Sequence, residues 1–141
     1  MSDTKKDLEE MCQWIVEKLE ALASGKLYDE ETGEFIDDKG QQGSFTELDD
    51  NRYTDLYNYI ADNLGIKITT SLDGSDYFGA DICVAWGGPN IYIETNDSYV
   101  RGYWGSDKVE VPLSYSVRDK IDDIIDEWRQ CYRGDLNGTV L

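Results

Sequence analysis

The side chains best suited to chemistry in this chain are its carboxylates. Asp and Glu make up 30 of 141 residues, and there is no histidine. The commonest general base and the commonest neutral metal ligand are therefore missing, and Ser/His or Cys/His nucleophile pairs are excluded. Two carboxylates can divide acid and base roles between them, and Glu94 with Asp81, or Glu94 with Asp97, are the pairs the spacing brings forward. In so acidic a chain neighbouring carboxylates arise by chance, and no catalytic role is assigned to them. Gly87-Gly88-Pro89-Asn90 has the glycine content of a phosphate loop but neither its lysine nor a following helix, so it reads as a hairpin turn. A calcium loop needs ligands at fixed spacing. Counting from Asp37 the third position is Lys39, and counting from Asp73 the fifth is Tyr77, so both fail. Cys12, Cys83 and Cys131 are odd in number and far apart, which suits neither a disulfide scaffold nor a CxxC metal site. They read as buried structural thiols. The expectation is no enzyme, no cofactor and no metal.

What remains is charge. Thirty acids against 13 bases leave a net charge of −17. A small soluble domain is comfortable at a magnitude of roughly 2–8, so the excess exceeds what solubility needs and adds self-repulsion. Such a field repels nucleic acid and anionic membranes and attracts basic protein surfaces. Duplex DNA carries one negative charge per roughly 1.7 Å of axis, so this net charge corresponds to about 29 Å of duplex. A globule of this length is on the order of 35–40 Å wide. The charge is thus of the size that a DNA segment spanning the protein would carry. The N-terminal MSDTKKDLEEM lacks an apolar h-region and predicts no signal peptide; no apolar run approaches the roughly 20 residues of a membrane span. The expected compartment is the cytoplasm.

The elements that must position these carboxylates are legible as periodicities. Leu8, Met11, Cys12, Ile15, Val16, Leu19 and Leu22 recur at helical spacing and predict a helix over about 4–23, with Ser2, Asp3 or Thr4 as N-cap and Gly25 beyond its end. Residues 27–38 read as a short hairpin turning at Thr32-Gly33, followed by a flexible link over 39–44. A second helix is expected over about 50–63, capped by Asp49, Asp50 or Asn51, with Tyr53, Leu56, Tyr57 and Ile60 on its apolar face and Tyr59 facing elsewhere. Ile66–Leu72 alternates as a strand. From Ala80 to Leu113 four more strands follow, joined by turns short enough to force antiparallel neighbours. Period two places Ile82, Val84, Trp86, Ile91, Ile93, Val100 and Val109 on one face and Asp81, Cys83, Tyr92, Glu94, Tyr99, Arg101 and Tyr103 on the other. Val117, Ile121, Ile124, Ile125, Trp128 and Tyr132 predict a last helix over about 116–132 capped by Ser114 or Ser116, with 133–141 as a loosely ordered tail. The expected fold is a single α+β domain over 1–141: an antiparallel meander of about five strands, with two N-terminal helices and one C-terminal helix packed on its apolar face.

The acidic runs at 29–38 and 47–55, the acidic face of the last helix and the tyrosine-bearing meander ending YWGSDKVEV together give a small, acidic α+β chain with a tyrosine-rich surface. In charge and layout over the whole chain it resembles phage and mobile-element inhibitors of bacterial defence, the anti-CRISPR and antirestriction proteins. The resemblance implies a stoichiometric inhibitor that acts as a DNA mimic, binding a basic protein surface such as the groove of a nuclease or effector complex and blocking it. It implies no direct contact with nucleic acid or membrane. The partner-binding residues expected are Asp29, Glu30, Glu31, Glu34, Asp37, Asp38, Asp49 and Asp50 in the acidic runs, Tyr92, Glu94, Tyr99 and Tyr103 on the sheet, and Asp122, Asp123 and Asp126 on the last helix. Immunity proteins that neutralise toxin nucleases share this profile, and an acidic interaction or accessory domain without mimicry is the other alternative.

Overall fold

The computed structural model describes residues 3–37 and 52–139, with side chains as far as 131. Helix α1 (Asp3–Ala23) buries Leu8, Cys12, Val16, Leu19 and Leu22, one unbroken stripe at helical spacing. It stops where Gly25 takes φ +100°, a conformation costly for any residue with a Cβ; the Gly25 N–H donates to Leu22 O at 3.1 Å. The chain then forms strands β1 (Lys26–Asp29) and β2 (Glu34–Asp37), the expected hairpin, with Leu27 opposite Ile36.

The next segment departs from expectation. Tyr53–Thr54 is a short strand, β3, which pairs with β1 and completes a separate three-stranded sheet in the order β2-β1-β3. Helix α2 is correspondingly short, Leu56–Ala61, and its cap is Asp55, whose carboxylate accepts from the Asn58 N–H at 2.8 Å. Asp55 satisfies the first-turn donors as well as an earlier Asp would, and the Arg52 carbonyl is already engaged by the Glu30 N–H at 2.7 Å. The expected caps Asp49, Asp50 and Asn51 lie outside the described residues. On α2 it is Tyr59, not Tyr57, that joins Leu56 and Ile60 against the core; Tyr57 stays 47% exposed. Burial pushes the Tyr59 phenol up to about 12.

Strands β4 (Gly65–Thr70), β5 (Tyr77–Ala85), β6 (Asn90–Glu94), β7 (Tyr99–Trp104) and β8 (Asp107–Pro112) form the antiparallel meander, in sequential order. Ala80, Ile82, Ile91, Ile93, Val100 and Val109 are buried on its inner face. A bulge between Cys83 and Ala85 shifts the register of β5 against β6 and pairs Ala85 with Ile91. One inserted residue reverses the faces beyond it. Trp86, expected on the apolar face, therefore leaves the core and is 69% exposed.

The helices lie on the inner face: α1 contacts β7 and β8, α3 (Tyr115–Thr139) contacts β5, and α2 contacts both other helices. The approach of α1 depends on Gly102. A Cβ there would stand 2.6 Å from Leu8 Cδ1 and 2.7 Å from Cys12 Sγ. Helix α3 buries Val117, Ile121 and Ile125, and its first turn is capped by Ser114, whose hydroxyl accepts from the Val117 N–H. The helix continues to Thr139 through the expected loose tail, because each added residue gains a backbone hydrogen bond once the helix is nucleated. Among the described residues no helix is long and apolar enough to cross a membrane.

Candidate functional site

Two surfaces carry the expected partner-binding residues, and the fold treats them differently. The first joins α1 to the hairpin. Trp14 of α1 packs against Phe35 and Tyr28, with ring centroids 5.8 and 6.2 Å away, and Lys18 sits over the Tyr28 ring at 3.9 Å. These contacts seat the acidic hairpin on α1, with Glu30 close enough to act on Lys18. Glu30, Glu31, Glu34 and Asp37 are exposed, as are Glu9, Glu10, Glu17 and Glu20. Residues 3–37 hold eleven acids and four bases, so this layer carries much of the chain's net charge.

Asp29 does not belong to that contact surface. It is 4% exposed, and Arg52 grips it through two hydrogen bonds, Nε to Oδ1 at 3.1 Å and Nη2 to Oδ2 at 2.9 Å. The Arg52 pairing, with backbone N–H groups of Glu31 and Thr32 donating to Oδ1, holds its carboxyl well below the usual range against the opposing cost of burial. Asp29 is the clasp between β1 and the start of β3. Asp38, Asp49 and Asp50 lie outside the described residues.

The second surface is the outer face of the large sheet, which none of the described helices covers. Here Arg101 is the centre. Its Nη1 donates to Glu94 Oε1 and, at 2.7 Å, to Asp97 Oδ2; its Nε donates to Glu110 Oε2 at 2.9 Å. The Arg101 side chain is 16% exposed and its guanidinium lies 5.1 Å from the Tyr99 ring centroid. Tyr92 and Tyr103 meet edge to face, 6.2 Å apart. Lys67, Asp81, Cys83, Tyr92, Glu94 and Tyr103 line a shallow depression of about 600 Å³. The carboxylate pairs singled out for chemistry are thus placed: Asp81 is the cross-strand neighbour of Glu94, and Asp97 and Glu94 share one guanidinium. With Lys67, Arg101 and Lys108 among its acids, this face is close to charge balance.

The acids of α3 hold the fold. Asp122 accepts from the Tyr77 hydroxyl at 2.6 Å, and burial together with that carboxylate pushes the Tyr77 phenol up. Asp126 pairs with Arg129 at 2.7 Å, and Arg129 Nη1 donates to the Gly74 carbonyl at 2.6 Å, tying α3 to the β4–β5 turn. Asp123 is exposed. Of the three thiols only Cys12 is buried, with its pKa pushed up to about 11 by burial; Cys83 is half-buried and Cys131 exposed, against the expectation of three structural core thiols.

The partner-binding residues expected from the sequence do not include the α1 glutamates. Only the aromatic contacts between α1 and the hairpin turn two separate acidic runs into one surface. Among the described residues no group of His, Cys, Asp and Glu is placed to hold a metal ion. Compared with known proteins, the chain matches no protein-family model, no curated protein and no solved structure.

Proposed function

We propose that this protein is a stoichiometric inhibitor that presents the acidic layer of α1 and the β1–β2 hairpin to the basic, nucleic-acid-binding groove of a partner, in the manner of anti-CRISPR and antirestriction proteins. The partner class this reading favours is a nuclease of bacterial defence. The observation that carries it is the imbalance of that layer: eleven acids against four bases within residues 3–37, reached among the described arginines only by Arg52, which pairs with Asp29 and Glu31. Arg52, Arg101, Arg118 and Arg129 all stand in internal ion pairs.

Charge density supports a particular version of this reading. A helix of 21 residues is about 31 Å long. Helix and hairpin together, with Arg52 included, carry a net of six negative charges, and over that length they give one per roughly 5 Å, sparser than duplex DNA at about 1.7 Å and nearer a single strand at about 3.4 Å. The layer is suited to a channel that holds one strand, such as a guide or displaced-strand path. The test is a nuclease-protection assay with a panel of defence nucleases, read beside direct binding at two salt concentrations. The reading expects 1:1 inhibition, competition with nucleic acid, and association that slows as salt rises. Binding that leaves the partner's nucleic acid in place would reject mimicry and leave an acidic accessory domain; capture of a secreted toxin nuclease would point to an immunity protein.

A further inference from the structure

Among the described residues strand β8 is an edge of the large sheet, and the side away from β7 faces a groove. The groove, about 630 Å³, runs between α1 and the strand: Glu9, Glu10, Trp14 and Glu17 form one wall, and the consecutive residues Lys108–Val111 form the other. Four consecutive strand residues, from both sheet faces, line it, so the groove follows the strand's edge and not one of its faces. The Leu113 N–H donates to Ser98 O across the β7–β8 connection at 2.8 Å. Backbone groups alternate in direction along an antiparallel strand. Val111 and Val109 therefore address β7, and the peptide groups of Lys108 and Glu110 point to the open side. Pro112, the next outward position, has no N–H to offer, as suits a residue at the end of an edge strand.

We infer that this groove is a docking site for an extended, basic segment of a partner protein, which adds a strand to β8. Main-chain pairing to Lys108 and Glu110 supplies the register. Every second side chain of the added strand turns toward α1, where Trp14 is 42% exposed and the heads of Glu9, Glu10 and Glu17 lie beyond it. A Lys or Arg at those positions lays its aliphatic stem over Trp14 and Val111 and brings its charge to the glutamates. Two bases, Lys5 and Lys108, share the groove, and Glu110 is also held by Arg101 and Lys108, so the α1 glutamates carry the selection. A second copy of this chain is a poor occupant, because it would bring its own α1 glutamates against these. The inference rests on the proposed function only in requiring a basic partner; a nucleic-acid groove is not needed.

The probe is a short alternating Lys–Val peptide, with a version N-methylated at every second residue as its equally charged control. Binding to the full chain is measured by titration, with amide-proton exchange followed residue by residue. The expected result is binding that slows exchange at Lys108 and Glu110, is lost on N-methylation, and weakens at least about tenfold in Glu9→Lys/Glu10→Lys/Glu17→Lys. The same charge change at Asp62→Lys/Asp123→Lys/Glu127→Lys, none of which lines the groove, is expected to weaken it much less. Equal binding of the N-methylated peptide, equal loss in both triple variants, or protection of β8 in a peptide-free dimer would each overturn the inference. Peptide seated on β8 with no nuclease inhibited would leave the groove standing and remove the inhibitor reading. Nuclease inhibition that the α1 triple variant weakens, with no peptide bound by the unaltered chain, would do the reverse.

Discussion

The α1–hairpin layer and the outer sheet face differ both in how many acids they hold and in where their cations stand. On the sheet face Arg101 sits among Glu94, Asp97 and Glu110 and is fixed to all three. Cross-strand geometry makes this possible: Glu94, Tyr99 and Arg101 occupy adjacent rungs of β6 and β7, and Glu110 lies directly across from Arg101 on β8. The layer built on α1 has no such centre. Three of its four lysines lie on a helix surface, where exposed pairs contribute little, and one of them, Lys18, is turned inward onto the Tyr28 and Tyr59 rings. One face therefore consumes its charge in holding the sheet together, and the other projects it into solvent. A cation's position on a rigid lattice, together with the ratio of acids to bases, decides which surface can steer a partner.

The largest expected effect comes from separating the two surfaces. Gly102→Val forces β7 and α1 apart against Leu8 and Cys12; overpacking of this kind costs roughly 1–3 kcal/mol and occasionally more. Chemical denaturation reads it, and a wild-type midpoint would show that α1 is free to lift. Next is Arg101→Met, which strips the sheet face of its centre. Hydrogen bonds to charged groups contribute roughly 1.5–3 kcal/mol each, and a loss of about 2 kcal/mol is expected, smaller at high salt. The corresponding change in the acidic layer, Glu10→Lys/Glu31→Lys/Glu34→Lys, should leave the denaturation midpoint nearly unmoved while slowing association with a basic partner about tenfold at low salt. An equal effect on stability from both would erase the contrast.

Asp29 gives a pH test of the same comparison, since it lies inside the acidic layer yet behaves like the paired acids of the sheet. Its carboxyl is depressed by Arg52, so its contribution is present above the unfolded value of about 4 and is lost as pH falls through the folded value. The stability gap between the wild type and Asp29→Asn should be widest near neutral pH and narrow steadily below about pH 4. A gap independent of pH would mean the ion pair is not its source. The smallest effect is on reactivity: in the native protein a thiol reagent should label Cys131 first, Cys83 more slowly, and Cys12 only on unfolding.

Much of this fold was legible as periodicity. The stripes of α1 and α3 hold except at Met11, which is 39% exposed, and at Tyr132, whose side chain lies outside those described; the alternation of β6, β7 and β8 holds too, because each element buries one face and a shift of one residue would expose it. What was misread turns on features without a period. The bulge at Val84 is one extra residue, and it sends Trp86 outward. Tyr53–Thr54 became a strand because β1 offered it an edge and Arg52 found Asp29, a contact across 23 residues that local propensity does not record. Among the site residues, the exposed glutamates of the hairpin could be named from the chain. The inward roles of Asp29, Asp122 and Asp126 could not, since a carboxylate's partner is chosen by the fold.

By itself, then, the amino-acid sequence determined the sign and size of the charge, the absence of histidine chemistry, the helical stripes and the meander, all of which follow from residue type and local spacing. The tertiary structure alone decided which acids are clasps and which face solvent, brought the α1 and hairpin carboxylates into one layer, and left β8 as an open edge beside it. Those outcomes depend on contacts between residues far apart in the chain, where packing of Trp14 on Phe35 and of α1 on Gly102 sets the geometry and the charges follow.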